Sequence, residues 1–329
     1  MKNLILLLLF FCFLNSKAQH TFSIVAVDSL TGEIGSAGAT CGDSIIWPGT
    51  PGARIISDVI PGKGAIHTQS YYLATNQINA NKRMMAGDNP KQIIDWLVAN
   101  DVQSDASLRQ YGVVDYNGGH PRSAAFTGAA CMDYKNHILG KNYAIQGNIL
   151  IGQKVLDSME SRFLKTKGNL AEKLMAAMQG AKMIGADSRC TSNGTSSLSA
   201  FIRVAKQYDQ PTGFYLDINV AGTAPGVEPI TKLQEKFNAW KIKSEVKEPF
   251  VQPYFKIFPN PASHAITISI NNLEADKLEI TELTGKTLLS LNIVSTQTEI
   301  DFKNFNSGLY LLVFYKEGFK TYTTRILKP

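Results

Sequence analysis

The sequence predicts an α+β main domain followed by a small all-β sandwich, and three observations carry that expectation. Strand-like pairs come first, amphipathic helices fill the middle and strand-like runs return before residue 221, an order that packs helices on a sheet. A charged, helix-like stretch over residues 231–247 runs into Pro249 and Pro253, and prolines at that density stop a helix and open a linker. Beyond it, short runs alternate apolar and polar residues between turn signals. The expected segments are a leader over 1–19, a main domain over 20–245, a linker over 246–254 and a terminal domain over 255–329.

The leader joins Lys2 to an apolar run from Leu4 to Leu14 and ends in Ser16-Lys17-Ala18, the small-x-small pattern of a signal-peptidase site. The run is shorter than the ~20 residues a spanning helix needs, so a cleaved signal peptide and a soluble, exported mature chain are expected; the alternative is an uncleaved membrane anchor. Residues 21–28 and 33–40 then read as a β-hairpin around a turn at 29–32. Asn89-Pro90-Lys91-Gln92 supplies an N-cap, a proline in the first turn and an amide three residues on, with Ile93, Ile94, Leu97 and Val98 following at helical spacing. Residues 110–115 and 123–127 form a second hairpin around Asn117-Gly118-Gly119. Residues 155–164 and 170–183 are amphipathic helices, with Met175, Met178 and Met183 as core filler, and 197–205 and 214–220 are two late strands. In the terminal domain, strands are expected at 266–270, around Leu278 and Ile280, and over 287–293, 309–315 and 322–327.

Composition excludes several function classes. The formal charge of +6 is not gathered into a Lys/Arg stripe, so nucleic acid is not an expected partner. Of the four cysteines, Cys12 falls in the leader, which leaves Cys41, Cys131 and Cys190 for at most one intramolecular disulfide and one free thiol. No Cys-x-x-Cys or Cys/His pair has ligand spacing, so no metal or organic cofactor is expected. His67, His120 and His137 stand singly in loop-like contexts and read as surface or locally satisfied residues.

Four motifs in the terminal domain carry a resemblance. They are Ile257-Phe258-Pro259-Asn260-Pro261-Ala262, Leu283-Thr284-Gly285-Lys286, Ser307-Gly308-Leu309-Tyr310 and Thr324-Arg325-Ile326-Leu327-Lys328. In order and spacing they resemble the C-terminal sorting domain of the type IX secretion system of Bacteroidetes. That resemblance implies the type IX machinery as a partner, passage across the outer membrane, removal of the tail, and release or attachment at the surface. A carbohydrate-binding or adhesive β-module is the alternative, disfavoured by the few aromatics available for sugar stacking.

The main domain resembles the bacterial and archaeal family called domain of unknown function 1028. The matching stretches are Thr21-Phe22-Ser23-Ile24-Val25-Ala26 with Thr31-Gly32-Glu33, Tyr111-Gly112-Val113-Val114-Asp115, Ala125-Phe126-Thr127-Gly128 and Tyr143-Ala144-Ile145-Gln146-Gly147-Asn148-Ile149-Leu150. Gly185-Ala186-Asp187-Ser188-Arg189, Leu216-Asp217 and Glu228-Pro229-Ile230 follow in order. The resemblance implies an N-terminal nucleophile hydrolase-like fold, a four-layer αββα sandwich, in which the first residue of the mature chain attacks an amide carbonyl. Its own α-amine, with a reference pKa of ~7.7, acts as base.

Thr21 is then the candidate nucleophile, exposed either by signal peptidase after His20 or by its own attack on the preceding peptide. Cleavage after Ala18 would instead leave Gln19 and His20 in front of it; a plain β-branched strand opener is the structural alternative. Where many family members carry a Ser-Lys pair after the first hairpin, this chain has Ala39-Thr40-Cys41-Gly42, so the expected cation near the nucleophile is missing. Asn148 is a candidate oxyanion donor or a tie between a turn and the backbone. Asp187 and Arg189 are candidates to bind a charged substrate end, or they pair with each other. Cys41 is expected in a buried or disulfide-bonded role rather than as a nucleophile, and Asp115 as a turn residue. A rigid loop around Trp47, Pro48, Gly49, Pro51 and Gly52 either walls a pocket or is simply a turn, and the segment 191–197 is expected to shape substrate access. The expected function is hydrolysis of an amide bond in a small-molecule or peptide substrate; the competing one is an inactive binding module of the same fold that recognises a peptide or cell-wall fragment.

Overall fold

The computed structural model describes residues 18–19, 21–45, 48–245, 255–270, 275–316 and 318–329. The expected signal peptide up to residue 17, Trp47 of the expected rigid loop and the expected linker lie outside the described residues. The chain divides into two compact units, Met1–Ile242 and Lys243–Pro329. No helix among the described residues is long and apolar enough to cross a membrane.

In the first unit the elements run β1 (Ala18–Gln19), β2 (Thr21–Val27), β3 (Ile34–Thr40), β4 (Ser57–Ile60), β5 (Gly64–Tyr71), α1 (Ala74–Met85), α2 (Pro90–Ala99), β6 (Arg109–Asp115), β7 (Arg122–Thr127), β8 (Asn136–Gly140) and β9 (Tyr143–Gly147). Then come α3 (Lys154–Lys165), α4 (Leu170–Gly180), β10 (Ser199–Ala205), β11 (Leu216–Val220) and α5 (Pro229–Glu245). All strand pairs are antiparallel. One sheet runs β1-β5-β6-β7, with β4 also on β5; the other runs β11-β10-β3-β2-β9-β8.

Every residue of β2 is buried, and the two-residue period of a strand sorts them by face. Phe22, Ile24 and Ala26 join a core with Leu156, Phe163, Leu174 and Met178 of α3 and α4. Val25 and Val27 face the other sheet through Val59, Ala65 and Val114. The far side of that sheet packs Ile66, Tyr111 and Val113 on Ile93, Ile94 and Leu97 of α2 and Met84 of α1. Thr21 and Ser23 lie in phase with Val25, on the face between the sheets.

The capping box expected at Asn89 and Gln92 is present, and a second, Asn169 with Glu172, opens α4. The hairpin of β4 and β5 was not expected, because β5 carries His67, Thr68, Gln69 and Ser70, all buried, and so lacks an apolar alternation. His67 therefore stands in a buried strand, not a loop, and His137 sits half-buried on β8; His120 is exposed after a turn. Helix α1 buries only Asn76, Ala80 and Met84, too narrow a stripe to read from sequence. Helix α4 ends at Gly180, so Met183 packs from the following turn rather than from the helix. Residues 195–197 are buried, with Ser196 donating to Glu228 Oε1 at 2.7 Å.

The second unit holds β12 (Phe255–Phe258), β13 (Ala265–Ile270), β14 (Lys277–Glu282), β15 (Thr287–Asn292), β16 (Gln297–Asp301), β17 (Gly308–Lys316) and β18 (Phe319–Lys328). They form a sheet β12-β13-β16 and a sheet β15-β14-β17-β18. Ile266, Ile268 and Ile270 meet Leu278, Ile280, Leu312, Phe314 and Ile326 in a shared core. Asn260 explains one motif: its amide donates to Arg325 O and its Oδ1 accepts from Leu327 N, each at 3.0 Å, clamping the last strand to the first.

Candidate active site

Thr21 opens β2 and is fully buried. Its cross-strand partner is Thr40, the last residue of β3, so the two side chains share the face between the sheets. The main chain of Thr21 is held from two directions. Asn148 N–H donates to Thr21 O at 3.1 Å, and Gln69 Nε2 donates to the same oxygen at 3.2 Å.

Asp187 and Arg189 pair with each other. Asp187, with no exposed surface, accepts from Arg189 Nε at 2.9 Å, from its terminal NH2 at 2.6 Å, and from Cys41 N–H at 2.9 Å. The same guanidinium donates to Thr40 Oγ1 at 3.2 Å. A cation thus stands beside the Thr21–Thr40 pair, on a loop far from the hairpin where a lysine was expected. The disulfide Cys41–Cys190 closes a separation of 149 residues and ties that loop to the end of β3. Cys131 is the free thiol among the described residues; it is buried, its Sγ is 3.3 Å from Arg109 O, and burial pushes its pKa up.

Asn148 is fully buried, and its side-chain amide donates to Gln110 Oε1 at 2.9 Å. The next residue, Ile149, has φ +58, a conformation a β-branched side chain rarely adopts. It is held there by Met132 O on its N–H and Ser188 N–H on its carbonyl, so this strained turn connects Asn148 to the Asp187 loop. Asp115 ends β6 in an ion pair with Arg122 at 2.5 Å.

Sequence reasoning missed a buried polar chain between the sheets that ends at Thr21. Ser23 Oγ donates its one hydrogen to Gln69 Oε1 at 2.6 Å, so the 2.9 Å contact with His67 Nδ1 requires Nδ1 to carry the proton. Nε2 then accepts from Ser36 Oγ at 2.6 Å, which accepts from Ser57 Oγ at 2.7 Å, which accepts from Arg203 at 3.3 Å. Every donor points the same way, from Arg203 through Ser57, Ser36, His67, Ser23 and Gln69 to the Thr21 carbonyl. Burial, with the Arg203 charge second, pushes the His67 pKa down to about 3, which keeps the ring neutral. Gln146 Nε2 donates to Ser23 Oγ at 2.6 Å and lies 3.1 Å from His67 Nδ1, the longer contact giving way to the shorter when Nδ1 carries the proton; Gly112 makes room for it, since a Cβ there would lie 2.0 Å from Gln146 Oε1. The usable sequence signal was polar residues recurring inside otherwise strand-like runs.

A cleft of about 230 Å³ lined by Asp28, Leu30, Asn142, Leu164 and Lys173 lies at the far end of β2 and contains none of the candidate residues. Among the described residues no group of three or more His, Cys, Asp or Glu side chains is placed to hold a metal ion.

Fold and site define a protein with two facing antiparallel sheets, helices on their outer faces, and a buried threonine opening a central strand. Residues 21–233 match the family of unknown function DUF1028, and the chain belongs to that family. Residues 256–328 match the secretion system C-terminal sorting domain, which marks the chain for export through the type IX system to the cell surface or beyond. A crystal structure from the same family, a protein of Silicibacter pomeroyi, is similar with a TM-score of 0.53 and 22% identity, over 67% of this chain and 88% of that one. An Anbu (Gly-1) mutant from a Hyphomicrobium species shows a TM-score of 0.39 at 10% identity, over 69% of this chain and 97% of its own. Ulvan lyase NLR42 of Nonlabens ulvanivorans is 31% identical over 72 residues, which are 22% of this chain and 14% of that protein.

Proposed function

We propose that the main domain is a four-layer αββα N-terminal nucleophile hydrolase, that Thr21 becomes the first residue of the mature chain, and that it cleaves an amide bond. The observation that supports this best is the setting of Thr21: first residue of a central strand, buried, its main chain held by Asn148 and Gln69, with the Arg189 guanidinium on its cross-strand partner.

In this reading Thr21 Oγ attacks the amide carbonyl while the α-amine takes the hydroxyl proton. The C–N bond breaks, the proton passes to the leaving amine, and an ester to Thr21 remains. Water, deprotonated by the same amine, then hydrolyses the ester and regenerates Thr21. Arg189 is permanently charged and supplies field rather than protons, favouring the neutral amine and the developing alkoxide. Asp187 fixes where that charge sits. Asn148 serves as a positioning residue, because its main-chain N–H holds Thr21 O and its amide holds Gln110.

The test is N-terminal sequencing and intact mass of the protein secreted by its native host, followed by reaction with a peptide epoxyketone, which condenses with both the hydroxyl and the α-amine of an N-terminal threonine. A start at Thr21 and a mass gain of one probe, absent in Thr21→Ala, support the hydrolase. A start at Gln19, or no reaction from a Thr21 start, overturns it in favour of an inactive binding module.

A further inference from the structure

We infer that the edge of β5 at Ser70 and Tyr71 is the acceptor strand for the acyl side of an extended peptide substrate. The inference rests on the reading of Thr21 as nucleophile and adds the substrate class.

Strand β5 is flanked by β6 on one edge from Gly64 to Ser70. On the other edge β4 covers Gly64 to His67, and beyond that point the partner is the chain's own leader, with Gln19 opposite Ser70 and Ala18 opposite Tyr71. The chain therefore leaves one sheet at Gln19 and enters the other at Thr21. Gln69, next along β5, is the residue that donates to Thr21 O. One short stretch of β5 thus flanks both the nucleophile and the residues preceding it.

Those preceding residues are the acyl side of the peptide bond that Thr21 would break to free itself. A substrate that brings its carbonyl to Thr21 Oγ sends its own acyl-side residues along the same path, antiparallel to β5. Removal of the leader opens that edge, and an open edge takes up an extended chain through main-chain hydrogen bonds. The acceptor is pre-shaped. Ser70 is held at φ +71, and Arg109 donates to Tyr71 O at 2.7 Å while bound to Asp101 in an ion pair of which each side chain is 1% exposed. Main-chain pairing reads a peptide backbone, which a sugar or compact amide does not present.

The experiment uses the chain produced from residue 21 onward with Thr21→Ala, so binding is read without turnover. The probe is the acetylated peptide amide Ser16-Lys17-Ala18-Gln19-His20, titrated by calorimetry. Neighbouring residues of an antiparallel strand alternate between directing their N–H at the partner and away from it. N-methylation at one of Ala18 and Gln19 is therefore expected to weaken binding about tenfold, and at the other to leave it nearly unchanged. No binding, or equal effects at both positions, overturns the inference. Alternating loss in a protein whose Thr21 form ignores the epoxyketone keeps the acceptor edge and removes the hydrolase; epoxyketone reaction without the alternation does the reverse.

Discussion

Arg189 donates to Thr40, and the residues that follow each of them, Cys190 and Cys41, are joined by the disulfide. The covalent bond and the hydrogen bond are adjacent rungs between the same two segments, so the bond that staples the fold also sets the position of the cation. A cross-link over this many residues restricts the unfolded chain by about 5 kcal/mol on the loop-entropy model. Cys41→Ser and Cys190→Ser are each expected to lose about 2–5 kcal/mol in denaturant unfolding. Their epoxyketone reaction should slow, whereas Cys131→Ser should leave the redox sensitivity of stability as it was.

The charge of Arg189 has its own signature. A cation close to an amine favours the neutral form, so its removal raises the amine pKa. In Arg189→Ala the acidic limb of the epoxyketone rate against pH should move upward by about one unit. Arg189→Lys retains charge and should return most of the limb while losing the two-pronged bond to Asp187. A merely structural role would lower the rate at every pH without moving the limb.

Much of this was legible in the sequence where one physical rule acted locally. The capping box at Asn89, the first hairpin and the alternation of the terminal domain each follow from neighbours along the chain. The middle of the first sheet was not legible, because β5 is buried on both faces and draws His67 and Gln69 inside through bonds to Ser23, Ser36 and Gln110 on other strands. Asp187 and Arg189 were visible as a pair, but their meeting with Thr40 depends on a chain reversal and a disulfide that spacing alone does not specify. Thr21 stood out by position, while what holds it comes from β5 and from the turn at Asn148.

Asn260 clamps the last strand of the terminal domain through Arg325 O and Leu327 N. Asn260→Ala leaves both main-chain groups to water and should destabilise that unit by about 1–2 kcal/mol, the scale of two partly exposed hydrogen bonds. Secretion measured as the ratio of extracellular to cell-retained protein should fall with it. Lys328, whose Nζ donates to Phe302 O at 2.8 Å and also reaches Ser263 O, should behave in the same direction when changed to Ala.

His67 makes stability depend on pH in the mildly acidic range. Its folded pKa of about 3 lies below the ordinary value of 6.5, since burial and then the Arg203 charge oppose protonation. The unfolded chain therefore binds a proton at His67 that the folded chain refuses, and stability is lost as pH falls from the unfolded value toward the folded one. Between pH ~6.5 and ~5 the slope from this residue should approach 1.4 kcal/mol per pH unit, and its full effect is roughly 4–5 kcal/mol. Burial also lowers the His137 pKa and raises those of Glu33 and Asp58, so the difference between wild type and His67→Asn isolates the effect of the buried ring. The variant should be less stable at pH 7, having broken the chain from Ser36 to Ser23, yet lose stability more slowly on acidification. Parallel curves for the two proteins would mean that the ring takes up its proton without opening the space between the sheets.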